Sequence, residues 1–204
     1  MSTPSLTAER SIPLRLAVLP RPSILVEAAL VLGGVLFVGL AAQISIPLSW
    51  TPVPITGQTF AVLLVGTAYG ANLGALTLFA YYLAGMAGAP LFAEGESGWD
   101  RATGPTAGYL VGFIVAAWLM GRLAEQRWDR RLSSSIALML TGTVVIYALG
   151  VTWLAIDLDW SVQRAIEGGL EPFIAGDIVK LYLAAALCPA AWKLVERLRR
   201  RGER

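Results

Sequence analysis

The sequence predicts an all-α integral membrane protein, a compact bundle of six transmembrane helices with both termini in the cytoplasm. Of its 204 residues, 56% are hydrophobic and 15% are charged, and the mean hydropathy of +0.63 is too high for a soluble domain of this size. The apolar residues fall into six runs, and the basic residues concentrate at alternate ends of these runs. Together these observations favour a multi-pass protein of the cell (inner or plasma) membrane.

Each predicted span is an apolar run bounded by charges, prolines or glycines, because a helix needs roughly 20 apolar residues to cross the bilayer core. The second and third runs almost touch, but two glycines and an asparagine between Tyr69 and Gly74 favour a turn there. The predicted spans are 24–44, 56–71, 73–89, 106–123, 134–156 and 173–194. They define a transmembrane domain over residues 24–195, between a cytoplasmic tail (1–23) and a basic cytoplasmic tail (196–204).

The charges of the connecting segments orient the bundle, because lysine and arginine near the spans accumulate on the cytoplasmic side. The basic residues of one side are Arg10, Arg15, Arg21, Arg122, Arg127, Arg130, Arg131, Lys193, Arg197, Arg199, Arg200, Arg201 and Arg204. The other side has only Arg101 and Arg164 as basic residues, and its acidic residues are Glu94, Glu96, Asp100, Asp157, Asp159, Glu167 and Glu171. An even number of spans fits this distribution. Four spans would also place both termini inside, but would force two apolar runs into loops.

Several function classes are excluded by what the sequence lacks. A single cysteine, Cys188, permits no disulfide within the chain, and without histidine an ordinary zinc site is not expected either. We predict no metal site. No phosphate-binding Gly-x-x-x-x-Gly-Lys-Ser/Thr motif and no nucleophile with a nearby base occur, so we expect neither an enzyme nor a cofactor in this chain. The basic carboxy-terminal run is typical of a lipid-facing anchor and not of a nucleic-acid site. The amino-terminal stretch has four prolines and no signal-peptide pattern, which predicts a retained tail.

The last span carries a charged pair, Asp177 and Lys180, within its first two turns. An ionised side chain near the centre of a membrane helix costs at least about 2.5 to 3.5 kcal/mol, so such residues are normally paired, face an interior cavity and serve a function. Residues three apart share one helix face, so this pair can present a carboxylate acceptor and an ammonium donor to one small polar group. In the predicted orientation, this site lies near the outer face of the membrane and opens to the outside. The alternative is an ion pair that only neutralises itself and locks the helix against a neighbour.

Three long outer segments, 45–58, 91–105 and 157–172, are predicted to cover this site. The first is apolar but contains three prolines, which exclude a continuous helix and favour a re-entrant lid. Trp50 in this segment is a candidate ligand contact, with interfacial anchoring as the alternative. Gln58, a polar amide just inside a span, is a second candidate, with a hydrogen bond between helices as the alternative.

The start of the fourth span adds Thr106 and Tyr109 as candidate ligand contacts, and Asp100 lies close enough to this start to be a further candidate. The ring and hydroxyl of Tyr109 suit a half-polar bicyclic ligand, although interfacial tyrosines have the same character. In the first span, Ala29 and Gly33 lie four residues apart. Small residues allow a close approach of another helix, so this pair is a candidate partner-binding face or a packing site within the bundle.

Four motifs of this chain occur in the same order in the BioY family, and the resemblance extends over residues 24–193. They are Trp50-Thr-Pro-Val-Pro-Ile-Thr-Gly-Gln-Thr59, Gly85-Met-Ala-Gly-Ala-Pro-Leu-Phe92, Gly104-Pro-Thr-Ala-Gly-Tyr109 and Phe173-Ile-Ala-Gly-Asp-Ile-Val-Lys180. BioY proteins are the biotin-specific substrate-capture (S) components of energy-coupling factor (ECF) vitamin transporters. The chain departs from the family pattern between Glu94 and Arg101, where it is charged and the family is usually richer in glycine.

The resemblance implies a bundle of six helices whose outward-facing biotin site is built from the later helices and capped by loops. It also implies that Asp177 and Lys180 face the ureido end of biotin and that Tyr109 packs on the fused rings. The implied partners are a T transmembrane component and two ABC-type ATPase subunits, which would use ATP while this chain delivers biotin inward. Two other classes stay open: a self-sufficient secondary transporter of biotin or a related vitamin, coupled to protons through its intramembrane charges, and a structural membrane subunit with an architectural ion pair.

Overall fold

The computed structural model describes residues 12–202, so the first eleven residues of the predicted tail, with Arg10, and Arg204 at the other end lie outside the described residues. The α-helices of this part are α1 (Leu14–Val18), α2 (Ile24–Gln43), α3 (Gln58–Tyr69), α4 (Ala71–Met86), α5 (Trp99–Thr103), α6 (Ala107–Ala124), α7 (Leu132–Asp157), α8 (Val162–Gly169) and α9 (Ile174–Gly202). Short 3-10 turns lie at Ala93–Gly95, Trp128–Arg130 and Glu171–Phe173. A small antiparallel hairpin pairs β1 (Ser45–Ile46) with β2 (Ile55–Thr56), in the register Ser45 opposite Thr56.

Six of these helices, α2, α3, α4, α6, α7 and α9, correspond to the six predicted apolar runs. Within residues 12–202, four helical segments are long and apolar enough to cross a membrane: Ile24–Gln43, Ala107–Ala124, Leu132–Asp157 and Val162–Arg201, which joins α8 and α9. The helices α3 and α4 are apolar but shorter. The protein is therefore a helical membrane protein, and the short helices α5 and α8 are additions that the apolar pattern alone does not predict.

The predicted break between the second and third runs is confirmed at Gly70. This residue ends α3 and begins α4 with φ 80° and ψ 173°, a backbone conformation that residues other than glycine rarely adopt. The Glu125 carboxylate accepts a hydrogen bond of 3.1 Å from the amide of Ala71, which satisfies one of the free N–H groups at the start of α4. Two short helices form here because the turn conformation and this cap interrupt the helical hydrogen bonds.

The helix α6 lies at the centre of the bundle and packs against α3, α4 and α7. Small residues allow these contacts: a Cβ added to Gly66 of α3 would lie 2.7 Å from the Cα of Ala117 in α6. On the opposite side of α6, a Cβ on Gly112 would lie 3.0 Å from the Cα of Ile146 in α7. Close backbone approach of this kind is the usual way in which membrane helices gain van der Waals contact.

One end of the bundle, called the inner end here, holds α1, the α3–α4 turn, the α6–α7 connection and the end of α9. Arg15 of α1 donates a hydrogen bond of 2.6 Å to the carbonyl of Tyr69 and pairs with Glu27 at 3.0 Å. Arg199 of α9 donates a hydrogen bond of 2.7 Å to the carbonyl of Ala17. Helical residues therefore extend into both predicted tails, and the division into tails and a transmembrane domain stays a prediction.

A buried cluster joins α9 to the α6–α7 connection at the inner end. The indole of Trp192 donates a hydrogen bond to the carboxylate of Asp129, and the Arg130 guanidinium lies 3.2 Å from the centroid of the Trp192 ring. Asp129 is 1% exposed, and this burial raises the pKa of its carboxyl group above the ordinary value, opposed by the Trp192 hydrogen bond and the charge of Arg130. The cluster fixes the second half of α9 in place.

Gly121 of α6 tests the packing of the inner end. A Cβ at this position would collide with the backbone of Gly70 and Ala71, so Gly121→Ala is expected to destabilise the fold by about 1–3 kcal/mol through overpacking. The melting temperature of the detergent-purified protein measures this loss. The control is Gly33→Ala in α2, where no heavy atom of the described residues lies within 4 Å of the added Cβ. An unchanged melting temperature of Gly121→Ala would contradict the close contact between α4 and α6.

Candidate ligand-binding site

A cavity lies between α3, α6, α7 and α9 at the outer end of the bundle, opposite the α3–α4 turn. It encloses about 620 Å³ of atom-free space, part of which is open to solvent. The segment before α3, the turn after α4 and Arg101 of α5 cover it, so helices form its walls and the outer segments form its lid.

Asp177 lies at the polar wall of this cavity and is 6% exposed. Its Oδ1 lies 2.7 Å from Lys180 Nζ and accepts a hydrogen bond of 3.1 Å from the Thr59 hydroxyl. Its Oδ2 accepts a hydrogen bond of 2.6 Å from the Tyr147 hydroxyl. The Asp177 carboxylate thus has an ammonium partner and two hydroxyl donors, which satisfy both of its oxygens.

Lys180 completes the polar wall. Besides Asp177, its ammonium group donates a hydrogen bond of 2.6 Å to the carbonyl of Thr56 in β2 and a longer one of 3.3 Å to the Thr59 hydroxyl. The short strand before α3 thus supplies a backbone acceptor to the ammonium group. Both predicted charges of the last span line the cavity together.

Gln58 also lines the cavity, and its amide contacts other helices. Its Nε2 donates a hydrogen bond of 2.8 Å to the Tyr81 hydroxyl of α4, which in turn donates to the carbonyl of Leu91 at 3.0 Å. The Thr56 hydroxyl donates to Gln58 Oε1 at 3.0 Å. The structure shows the hydrogen bond between helices that was one interpretation of Gln58. That this residue of the cavity wall also contacts a ligand stays a prediction.

Aromatic side chains form the apolar wall of the cavity. Tyr147 packs edge-to-face on Tyr109 with ring centroids 6.2 Å apart, and the Phe173 ring lies 6.2 Å from Tyr147 at an angle of 36°. The Tyr109 hydroxyl donates a hydrogen bond of 2.7 Å to the carbonyl of Gly169 in α8, so this hydroxyl fixes the outer segment while the ring faces the cavity. Flat apolar walls beside a few convergent polar groups are typical of small-molecule sites.

The remaining sequence candidates differ in their placement. Thr106 lines the cavity, and its carbonyl accepts hydrogen bonds from Tyr109 and Leu110 in the first turn of α6. The structure does not bring Trp50 to the cavity: its side chain is 62% exposed, because the extended segment buries Thr51 and Val53 instead.

Asp100 is also not among the cavity residues. It is exposed in the first turn of α5 and lines a shallow depression on the outer surface. The placement of Trp50 and of Asp100 gives no support to the prediction that they contact a ligand.

The cavity wall also contains polar residues that were not predicted as site residues, among them Thr59, Arg101 and Tyr147. Tyr147 and Thr59 lie within apolar runs. Polar side chains in membrane helices need hydrogen-bond partners, which makes both residues possible site residues, but their spacing in the sequence is not distinctive. Arg101 is one of only two basic residues, with Arg164, on a predicted outer side that is mostly acidic, and this difference in sign is a signal that the charge distribution already contained. Their convergence depends on packing between α3, α5 and α7, which no local pattern shows.

The site thus combines a buried carboxylate, an ammonium group and an aromatic wall within a membrane bundle. The sequence model of the BioY family matches residues 14–197, which is nearly the whole chain. The chain belongs to the BioY family.

Relatives in this family are transporters. The chain is 40% identical to the biotin transporter BioY of Thermotoga maritima over 161 residues, which cover 78% of this chain and 91% of that protein. It is 35% identical to the biotin transporter BioY of Rhizobium etli over 170 residues, which cover 80% of this chain and 89% of that protein. The fold is similar to the crystal structure of the S-component for biotin from an ECF-type ABC transporter, with a TM-score of 0.72, 22% identity, and coverage of 85% of this chain and 90% of that one.

Tyr147→Phe tests whether the carboxylate of Asp177 depends on its hydroxyl donors. The substitution keeps the ring and removes the 2.6 Å hydrogen bond to Oδ2. We expect a destabilisation of about 1–3 kcal/mol, because a buried charged acceptor loses a donor. The melting temperature in detergent measures it, with Tyr182→Phe on an exposed face of α9 as the control. Equal melting temperatures of the two variants would contradict this dependence.

Proposed function

We propose that this BioY-family chain is a biotin-binding S component, which captures biotin at the outer end of the bundle and delivers it inward for uptake. The observation that carries this proposal is the ion pair of the buried Asp177 with the part-buried Lys180 in the wall of a partly aromatic cavity. The named relatives are biotin transporters, which supports the same ligand.

The polar wall matches the ureido ring of biotin. This ring has two N–H donors and one carbonyl acceptor, and the cavity presents a carboxylate acceptor and an ammonium donor three residues apart on one helix face. In the proposed complex, Asp177 accepts from one ureido N–H group and Lys180 donates to the ureido carbonyl. Hydrogen bonds to charged groups are roughly twice as strong as neutral ones, so two of them orient the ligand.

The other parts of the cavity match the rest of biotin. The sulfur-containing ring of the bicycle is apolar and can pack against Tyr109, Tyr147 and Phe173. The valerate carboxylate needs a cation, and Arg101 supplies one at the outer rim of the cavity. A ligand with a polar head, an apolar middle and an anionic tail fits this order of groups.

We infer that α2, α3, α4, α6, α7 and α9 all span the membrane and that both termini are cytoplasmic. A helix of 12 residues such as α3 is only about 18 Å long, but the hairpin before it continues the crossing towards the outer end. The contacts of Arg15 and Arg199 support one inner end for both termini. The excess of basic residues at this end supports a cytoplasmic location for it, in the cell membrane.

We propose that separate subunits supply the energy. This chain has no phosphate-binding motif, so ATP would be hydrolysed by two ABC-type subunits, and a T transmembrane component would dock against the lipid-facing surface of this chain. Ala29 and Gly33 lie on an exposed face of α2, and the space around Gly33 is open, which suits the close approach of a partner helix.

Equilibrium binding of labelled biotin to the detergent-purified chain tests the ligand. We expect saturable binding to the wild type and at least about tenfold weaker binding to Asp177→Asn, since hydrogen bonds to a charged acceptor are worth about 1.5–3 kcal/mol. Asp157→Asn is the control, because Asp157 is exposed at the end of α7 and does not line the cavity. No saturable binding to a folded wild type would refute the proposed function, and equal binding to Asp177→Asn would refute the role of this carboxylate.

The double variant Ala29→Leu and Gly33→Leu tests the partner face. Leucine side chains there would hold a docking helix away at a cost of about 1–3 kcal/mol, so biotin uptake by cells that contain the energy-coupling subunits should fall by at least about fivefold. Binding of biotin to the purified variant should not change. Ala137→Leu on an exposed face of α7 is the control.

Two outcomes would contradict the partner face or the energy source. Uptake that stays at the wild-type level in the double variant would exclude this face as the docking site. Uptake by proteoliposomes that contain only this chain, abolished when the proton gradient is removed, would instead show a self-sufficient secondary transporter.

A further inference from the structure

An ion pair at the outer rim joins two parts of the lid of the cavity. Arg101 of α5 pairs through its Nε with the Glu96 carboxylate. The Arg101 side chain is 23% exposed and lines both the cavity and the shallow depression on the outer surface, whereas Glu96 lines only the depression. The guanidinium therefore forms the boundary between the cavity and the outside, with a carboxylate on its outer side.

The backbone holds Glu96 at this position. The amide of Phe92 donates a hydrogen bond of 3.1 Å to the carbonyl of Glu96, and the amide of Glu96 donates one of 3.2 Å to the carbonyl of Ala93. Glu94 and Gly95 lie in the turn between Ala93 and Glu96, and both have left-handed backbone conformations, with φ 62° and 72°. Phe92 and Ala93 line the cavity, so the same turn forms part of the lid and places a carboxylate on Arg101.

Among the described residues, two cationic side chains line the cavity, those of Lys180 and Arg101, and their partners differ. Lys180 is held by Asp177 and by the carbonyl of Thr56, and both of its partners are buried or part-buried. Arg101 is held by Glu96, whose side chain is 44% exposed. An exposed ion pair of this kind is weak and can exchange one carboxylate for another.

We propose that Glu96 is an internal competitor for the carboxylate of the ligand. In the ligand-free protein Glu96 occupies the guanidinium of Arg101, and a ligand carboxylate must displace it or share the cation with a second negative charge. Glu96 thereby lowers the affinity for ligands with an anionic tail and leaves neutral analogues unaffected. This inference rests on the proposed function, because it takes biotin as the ligand.

Binding of biotin and of its neutral amide, biotinamide, to Glu96→Gln tests the competition. We expect the variant to bind biotin about two- to fivefold more tightly than the wild type, which is the range of an exposed ion pair. Binding of biotinamide should stay unchanged. Glu94→Gln is the matched control, because Glu94 lies in the same turn and accepts a hydrogen bond from Ser45 instead of contacting Arg101. In an Arg101→Gln background, Glu96→Gln should have no effect on biotin binding.

The alternative outcomes separate this inference from the proposed function. Weaker biotin binding to Glu96→Gln would show that Glu96 holds Arg101 in its productive position, and an equal change for both ligands would show an effect on the shape of the turn. Either result, or no change at all, would overturn the competition. A wild-type protein that binds neither biotin nor biotinamide would instead refute the proposed function.

Discussion

The site depends on keeping the buried charge pair of Asp177 and Lys180 satisfied inside an apolar bundle. Removing such ions from water costs several kcal/mol each, and their mutual attraction offsets this only when other hydrogen bonds satisfy the remaining lone pairs and protons. Here the additional bonds come from Tyr147 of α7, Thr59 of α3 and the carbonyl of Thr56 in β2. The charges of α9 therefore hold three other elements in register, and the cavity forms where these elements meet.

The helix that carries the pair is packed less tightly than the centre of the bundle. Apolar grooves flank α9 on two sides, one against α7 that reaches Asp177 and one against α2 and α3 that reaches Lys180. In contrast, α6 is in backbone contact with α3 and α7 through glycines. The inner cluster of Asp129, Arg130 and Trp192 fixes the second half of α9. At the outer end, the hydrogen bonds of the charge pair are thus the main polar restraint on this helix among the described residues.

Much of the fold could be predicted because the apolar runs, the Gly70 turn and the charge distribution are local patterns. The charge pair could be predicted as well, since charges in an apolar run stand out and the motifs around them resemble a known family. The hydroxyl donors Thr59 and Tyr147 could not, because threonine and tyrosine are common in membrane helices and only packing shows which of them converge. The short helices α5 and α8 could not be predicted from hydrophobicity, because membrane spans are indicated by apolar runs of about 20 residues.

The two charged parts of the cavity, the Asp177–Lys180 pair and the Arg101–Glu96 pair at the rim, are built from different kinds of structure, and this difference has a physical reason. The buried pair needs partners held within hydrogen-bond distance at all times, which helices and a paired strand supply. The rim is exposed to solvent, where water can replace a lost partner, so a short turn with left-handed residues at Glu94 and Gly95 suffices to carry Glu96. If the proposed function holds, a substitution in this turn changes how the ligand tail is selected and leaves the polar wall of Asp177 and Lys180 intact. The Arg101–Glu96 pair is partly exposed and lies outside the tightly packed contacts of α6, so its loss would cost the bundle little stability.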